Sequence, residues 1–171
     1  MVNIVSYETI RKRQRDMQAK HPPDHAVLEL DRFLPYRLSV LSNRISQDIA
    51  SLYAERFALS VTEWRVIAVL GRYPDLSANA VAERTAMDKV AVSRAVASLI
   101  RDGRLRRRLH GDDRRRSVLA LSAKGYRIYD EVAPLALRFE RELLSRLGSD
   151  EQHWLTRILD RLEAAESAQA H

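Results

Sequence analysis

The chain has 171 residues, 46% of them hydrophobic, which is enough for one domain with a buried core. It has no cysteine, which excludes a disulfide scaffold, a cysteine-ligated zinc site and a thiol nucleophile. No signal-peptide pattern is seen and no apolar run approaches the roughly 18 residues of a membrane span, so we expect a soluble cytoplasmic protein with no membrane partner. The formal net charge of +6 favours anionic partners.

The positive charge is concentrated in one segment. Residues 101–116 hold eight arginines and three aspartates, whereas the rest of the chain is close to neutral. A smaller basic run occupies residues 11–15, before Pro22 and Pro23. Because proline interrupts helices, residues 1–30 are predicted to form a basic arm, either a mobile or partner-packed extension or an element that touches DNA or a partner subunit.

The first helices follow from apolar spacing and caps. A long helix is predicted from Leu34, with apolar residues three or four apart as far as Tyr53. Residues 60–63 read Ser-Val-Thr-Glu, a capping box that opens the next helix, and Gly71 and Pro74 are predicted to end it. Two further short helices are predicted, the first capped by Ser77 and the second by Asp88.

The turn between these two short helices contains Ala86, where such turns often carry glycine, and we predict that it needs no positive φ. The second short helix is expected to face inward through Val92, Val96 and Leu99. Its opposite face then presents small and cationic side chains: Lys89, Val90, Ser93, Arg94 and Ala97.

That exposed face is suited to the major groove of double-stranded DNA. Arg94 could form two hydrogen bonds with a guanine edge, and Lys89 and Ser93 suit phosphate or base contacts. Val90 and Ala97 are small enough to approach a thymine methyl group. Taken alone, the helix pair is equally compatible with an ordinary helical hairpin whose polar face is solvated.

Two strand-like segments follow, at residues 105–109 and 117–121, with a turn-forming stretch between them. They predict an arginine-rich β-hairpin placed as a wing, able to follow the DNA backbone or enter the minor groove. Ser122 opens another long helix, which Pro134 is predicted to kink, and a last helix follows Gly148.

The terminal helices carry more apolar surface than one DNA-binding core can cover, which predicts a helical dimerisation layer. The expected fold class is mainly α with a small β-hairpin: a winged helix-turn-helix plus that layer. The expected divisions are an arm at 1–30, a dimerisation helix at 31–58, a DNA-binding lobe at 59–122 and dimerisation helices at 123–171.

Over roughly residues 33–165 the chain resembles the MarR family of regulators. Residues 59–64 and 87–94 are similar to the opening of its second helix and to its recognition helix. The most specific likeness is Asp113-Arg114-Arg115 followed by Leu-Ser-Ala-Lys-Gly at 121–125. The resemblance implies that Arg115 reaches the minor groove and that Asp113 braces it, although Asp113 could also merely offset charge. The predicted wing contacts are Arg107, Asp113, Arg114, Arg115 and Arg116.

The resemblance also implies a two-fold dimer that reads a pseudo-palindromic operator and responds to a small aromatic anion. It places the effector pocket between the dimerisation helices and the DNA-binding lobe. The residues that could line it are Tyr36, Arg37, Arg44 and Trp64. Residues 34–44 further resemble regulators that sense hydroxycinnamoyl-CoA thioesters. The alternative is that Trp64 belongs to the core and that the arginines form surface ion pairs.

The sequence offers little support for an enzyme. Pro22 and Pro23 separate His21 from His25, so a helical metal pair is not expected, and no phosphate loop or nucleophile motif is present. We therefore expect no enzyme activity, no catalytic residue, no metal and no cofactor. A ligand-independent architectural DNA-binding protein and a winged helix that contacts only proteins remain as alternatives to a ligand-released repressor.

Overall fold

The computed structural model describes residues 26–110 and 113–169, without the side chains of 109–110, 113–116, 166–167 and 169. Within these residues it contains seven helices and one two-stranded sheet. The elements are α1 Leu34–Ser51, α2 Ala54–Phe57, α3 Val61–Arg72, α4 Ala78–Thr85, α5 Lys89–Arg101, β1 Leu105–His110, β2 Asp113–Leu121, α6 Ala123–Leu144 and α7 Ser149–Gln169. This confirms the predicted fold class. None of the helices described here is long and apolar enough to cross a membrane.

The chain separates into two compact units, one ending at Ser42 and one beginning at Asn43. In the described part of the first unit, a turn at residues 29–33 leads into α1, and the Arg32 N–H donates to the Glu29 carbonyl at 2.9 Å. Leu34, Leu38 and Leu41 are all exposed. The basic run at 11–15 lies outside the described residues.

The core of the second unit brings together α3, α4, α5, α6 and the hairpin. The fully buried side chains include Ile67, Leu70, Val81, Val92, Leu99, Leu119, Leu121 and Val132. The predicted inward face of α5 is confirmed, since Val92, Val96 and Leu99 are all buried.

The start of α3 is fixed by the predicted capping box. The Glu63 N–H donates to Ser60 Oγ at 3.2 Å, and the Ser60 N–H donates to the Glu63 carboxylate at 2.9 Å. Burial alone would raise the pKa of Glu63. Hydrogen bonds from Ser60 and Ser98, together with the charge of Arg104, hold that pKa below its ordinary value instead. The carboxylate is therefore already engaged at the helix start.

One expectation about a turn is wrong. Ala86 has φ 49° and ψ 32°, a left-handed conformation that lets its N–H close α4 by donating to the Ala82 and Glu83 carbonyls. The end of α3 agrees with its prediction, because the helix includes Gly71 and stops at Arg72, before Pro74. A Cβ atom at position 71 would overlap the ring of Tyr129, so the glycine serves close packing against α6.

The hairpin begins its return strand earlier than expected, at Asp113 rather than at residue 117. Its register pairs Leu105 with Leu121 and Arg107 with Leu119, with an irregularity near Leu109. At the far end Asp113 pairs with His110 and Ser117 with Leu109, so residues 114–116 lie between two paired positions. The Leu119 N–H also donates to the Leu76 carbonyl at 2.8 Å, which anchors the hairpin beside α4.

Helix α6 begins as predicted, because Ser122 Oγ accepts a hydrogen bond from the Gly125 N–H at 3.0 Å. The helix continues through Pro134 to Leu144, and the kink at this proline stays a prediction.

Candidate nucleic-acid interface

Helix α5 has one buried face and one exposed face. Its start is held by Asp88, whose carboxylate accepts a hydrogen bond from the Ala91 N–H at 2.9 Å. The buried residues are Val92, Ala95, Val96 and Leu99. The exposed residues include all five predicted DNA contacts: Lys89, Val90, Ser93, Arg94 and Ala97. The helix therefore presents a continuous cationic and small-residue surface, which we call the α5 stripe.

Arg101 extends the α5 stripe by one turn, because it follows Ala97 at a spacing of four residues. Its side chain is exposed, donates to Ser98 Oγ at 3.1 Å and lies 3.8 Å from the Asp102 carboxylate. Arg101 was counted in the basic segment but not among the predicted DNA contacts. Its spacing of four residues from Ala97 is the sequence signal that could have added it to this candidate surface.

The exposed arginines of β1 add positive charge on both faces of this strand. Arg106, Arg107 and Arg108 are all exposed, and neighbouring side chains of a strand point to opposite faces. Arg108 Nη1 lies 4.0 Å from the Asp75 carboxylate, so part of its charge is offset. Arg107, the predicted contact on this strand, has no carboxylate within ion-pair distance among the described residues.

The predicted wing tip lies at the start of β2. The backbone of Asp113, Arg114, Arg115 and Arg116 belongs to this strand, and Asp113 pairs with His110. Their side chains lie outside the described residues. The contact of Arg115 with the minor groove and its bracing by Asp113 stay predictions.

One arginine of the basic segment does not belong to this surface. Arg104 is 8% exposed, and its Nη2 donates to the Phe57 carbonyl at 2.6 Å. Its Nε and Nη1 are buried without a hydrogen-bond partner. Its neighbours in sequence gave no sign of this burial, because the partner carbonyl lies 47 residues earlier in the chain.

The four predicted effector residues lie in both units. Tyr36 and Arg37 belong to the first unit, where both are exposed, and Arg44 is an exposed residue of the second. Trp64 is 9% exposed, with ring centroids 5.5 Å from Tyr53 and 6.4 Å from Tyr129.

Trp64 is therefore a core residue, as the alternative interpretation held. Burial raises the pKa of the neighbouring Tyr53 from its ordinary value of 10.0 to about 12. The effector pocket itself stays a prediction. Among residues 26–110 and 113–169 there is no group of acidic and histidine side chains arranged to hold a metal ion.

Comparison with known proteins agrees with this geometry. A family model described as MarR family matches residues 59–116, which run from the start of α3 into the wing. The HTH-type transcriptional regulator BilQ of Clostridium symbiosum (strain WAL-14163) is 28% identical over 102 residues, or 60% of this chain and 71% of that protein.

Solved structures extend the likeness beyond that region. A MarR/EmrR family transcriptional regulator from Acinetobacter sp. ADP1 is 26% identical with a TM-score of 0.75, covering 82% of this chain and 99% of that one. The PcaV transcriptional regulator from Streptomyces coelicolor, solved in complex with its natural ligand, shares the fold at 24% identity and a TM-score of 0.63, over 83% of this chain and 99% of that one. These proteins are regulators rather than enzymes.

Proposed function

We propose that the chain is a DNA-binding transcriptional regulator of the MarR family, a homodimeric repressor that binds a pseudo-palindromic operator and is released by a small aromatic acid or its CoA thioester. It would act in the cytoplasm. The DNA-binding lobe is residues 59–122, and residues 31–58 and 123–171 provide the dimerisation helices.

The observation that carries this proposal is the α5 stripe. The helix is held against the core by four buried residues and turns its cationic face outward, which is the requirement for entering a major groove. Arg94 is the candidate for reading a guanine, and Lys89 and Ser93 suit contacts with phosphates or bases. The arginines of β1 follow directly in the chain and are suited to the adjacent backbone or minor groove.

Dimerisation is supported by an exposed apolar face on α7. One side of this helix carries Trp154, Leu155, Ile158, Leu159 and Leu162. An apolar stripe of this length left in water is unusual for a monomer and typical of an interface. A second copy of the chain is the proposed occupant, since MarR family proteins bind DNA as dimers.

Release by a ligand would work as a population shift. DNA binding requires a fixed spacing of the two α5 helices, and an effector that favours another spacing lowers the DNA-competent fraction. An aromatic acid suits Tyr36, Arg37 and Arg44, which offer one ring and two guanidinium groups. PcaV, solved with its natural ligand, provides a precedent for a ligand-binding relative of this fold.

Fluorescence anisotropy would test the proposal. The probe is the intergenic duplex beside the protein's own gene, the control is a scrambled duplex of equal length, and both are titrated across a salt series. We expect tight preferential binding to the intergenic duplex, released by one member of a panel of aromatic acids and CoA thioesters. Equal binding to both duplexes with no ligand effect would favour the architectural alternative. Absence of binding to either would overturn the proposal.

A further inference from the structure

Arg104 lies where helix α5 passes into the wing. Gly103 has φ 70°, and its N–H donates to the Ile100 carbonyl at 2.9 Å. The Arg104 N–H donates to the Leu99 carbonyl at 2.8 Å, which completes a Schellman turn at the end of the helix. Strand β1 begins at the next residue, Leu105. Arg104 is therefore the joint between the α5 stripe and the arginines of β1.

The side chain of Arg104 is unusual for this place. The residue after the glycine of a Schellman turn commonly makes an apolar contact with the last turn of the helix, and arginine is rarely buried without charged partners. Here the side chain is 10% exposed, and Nη2 donates to the Phe57 carbonyl at 2.6 Å. Among the described residues, the enclosed Nε and Nη1 have no acceptor.

This burial is not explained by stability. Enclosed donors without acceptors cost free energy, so an apolar side chain of similar size would stabilise the fold about as well as the guanidinium does. What the guanidinium of Arg104 adds is one short, charge-assisted hydrogen bond with a fixed direction.

That hydrogen bond ends on a different segment of the chain. Phe57 is the last residue of α2, and Ala58 follows it in a left-handed conformation with φ 49°. Carbonyl groups at the end of a helix have no partner within the helix, and a cationic donor can satisfy them. Because α2 belongs to the proposed dimerisation segment 31–58, the bond joins the end of that segment to the joint between α5 and the wing.

The backbone of Arg104 is held from the other side by α6. Its carbonyl accepts hydrogen bonds from the N–H and the Oγ of Ser122, both at 3.0 Å. A Cβ atom at Gly125 would overlap this carbonyl oxygen, so α6 packs directly against it. Asp102 Oδ2 lies 3.9 Å from Nη2 of Arg104. One residue thus contacts the end of α2, the end of α5 and the start of α6.

We propose that Arg104 is a positioning residue for DNA binding, whose guanidinium locks the joint between α5 and the wing to the end of α2. The lock fixes the direction in which the wing leaves α5, so that Arg94 and Arg107 meet one duplex together, while Arg104 itself does not touch DNA. This inference rests on the proposed DNA binding. Reading a sequence requires contacts in a fixed geometry, whereas attraction to phosphates tolerates movement of the wing.

Amide hydrogen exchange of the free chain tests the lock itself. Arg104→Met removes the bond to Phe57 and should speed exchange at the amides of residues 104 and 122, because the joint then opens locally. Tm should fall by no more than about 3 degrees, since the substitution leaves no buried charge without a partner. Unchanged exchange at both amides would overturn the proposal, whether or not the chain binds DNA. A variant that does not fold would also contradict it, because the side chain would then serve stability.

Anisotropy titrations test the consequence for DNA. Arg104→Met should weaken binding to the intergenic duplex about tenfold, which corresponds to roughly one lost base contact, and leave binding to the scrambled duplex nearly unchanged. Arg104→Lys keeps a cation and a donor and should recover part of the preference. The matched control is Arg56→Met, which removes an exposed guanidinium beside Phe57 and should bind both duplexes as the wild type does.

The outcomes separate this proposal from the proposed function. If Arg104→Met weakens binding to both duplexes alike or to neither, or if Arg56→Met has the same effect, Arg104 does not position the DNA contacts. A wild-type chain that shows no preference for the intergenic duplex would contradict the proposed function, and the exchange rates at residues 104 and 122 would still decide whether Arg104 locks the joint.

Discussion

Ala86 holds the turn between α4 and α5 in a left-handed conformation, with φ 49°. That conformation costs a residue with a Cβ atom roughly 1–2 kcal/mol, whereas glycine adopts it readily. After allowing for the greater freedom of glycine in the unfolded chain, we expect Ala86→Gly to raise the free energy of unfolding by about 0.5–1 kcal/mol. Urea denaturation at fixed protein concentration measures this. The matched control is Ala97→Gly within α5, expected to lower that free energy by about 1 kcal/mol. A similar loss at both positions would contradict the argument.

Gly71 illustrates the opposite requirement, for space rather than for backbone freedom. A Cβ atom at this position would overlap the ring of Tyr129, which stacks on Trp64 in the core. Although alanine favours helix, Gly71→Ala should therefore lower the free energy of unfolding by about 1–3 kcal/mol. The double variant Gly71→Ala/Tyr129→Leu should lose much less than the sum of the two single changes. Strict additivity in urea denaturation would show that the ring is not the obstacle.

At the scale of elements, the sequence predicts what depends on residues three or four apart. The capping box of Ser60 and Glu63 and the inward face of α5 are such features, and the structure confirms both. Features that depend on distant partners could not be predicted. The early start of β2 requires pairing with β1, and the burial of Arg104 requires the Phe57 carbonyl.

The α5 stripe makes a prediction that separates base reading from charge attraction. If Arg94 contacts a base, Arg94→Ala should weaken binding to the intergenic duplex by about 1–3 kcal/mol and leave binding to a scrambled duplex nearly unchanged. Arg101→Ala is the control on the same helix, because Asp102 already offsets part of its charge. We expect Arg101→Ala to weaken binding to both duplexes slightly and equally. If anisotropy titrations show that Arg94→Ala weakens binding to both duplexes alike, Arg94 contacts phosphate instead of a base.

At the scale of the whole molecule, the exposed apolar residues mark the surfaces that the proposed dimer would cover. The large exposed side chains of the first unit include Leu34, Leu38 and Leu41 on α1, at helical spacings of four and three. In the second unit α7 contributes the longest run, from Trp154 to Leu162. The α5 stripe, in contrast, is mainly polar or small. In the proposed function, dimerisation and DNA binding use different helices, so we expect that a substitution can remove one activity without altering the fold that supports the other.

Ile158→Lys is the change that tests the dimer most directly. Ile158 is 51% exposed in the single chain and lies in the middle of the apolar face of α7. In a two-fold dimer the substitution occurs twice, and each copy removes up to about 1.5–3 kcal/mol of apolar burial and places a charge in the interface. Sedimentation equilibrium should give twice the 19.7 kDa chain mass for the wild type and the single-chain mass for the variant.

The matched control is Asp160→Lys, which introduces the same side chain on the opposite face of α7 and should remain dimeric. Affinity for the intergenic duplex should fall with Ile158→Lys, because the two recognition helices are then no longer linked. A variant that keeps the doubled mass would exclude this face of α7 from the dimer interface.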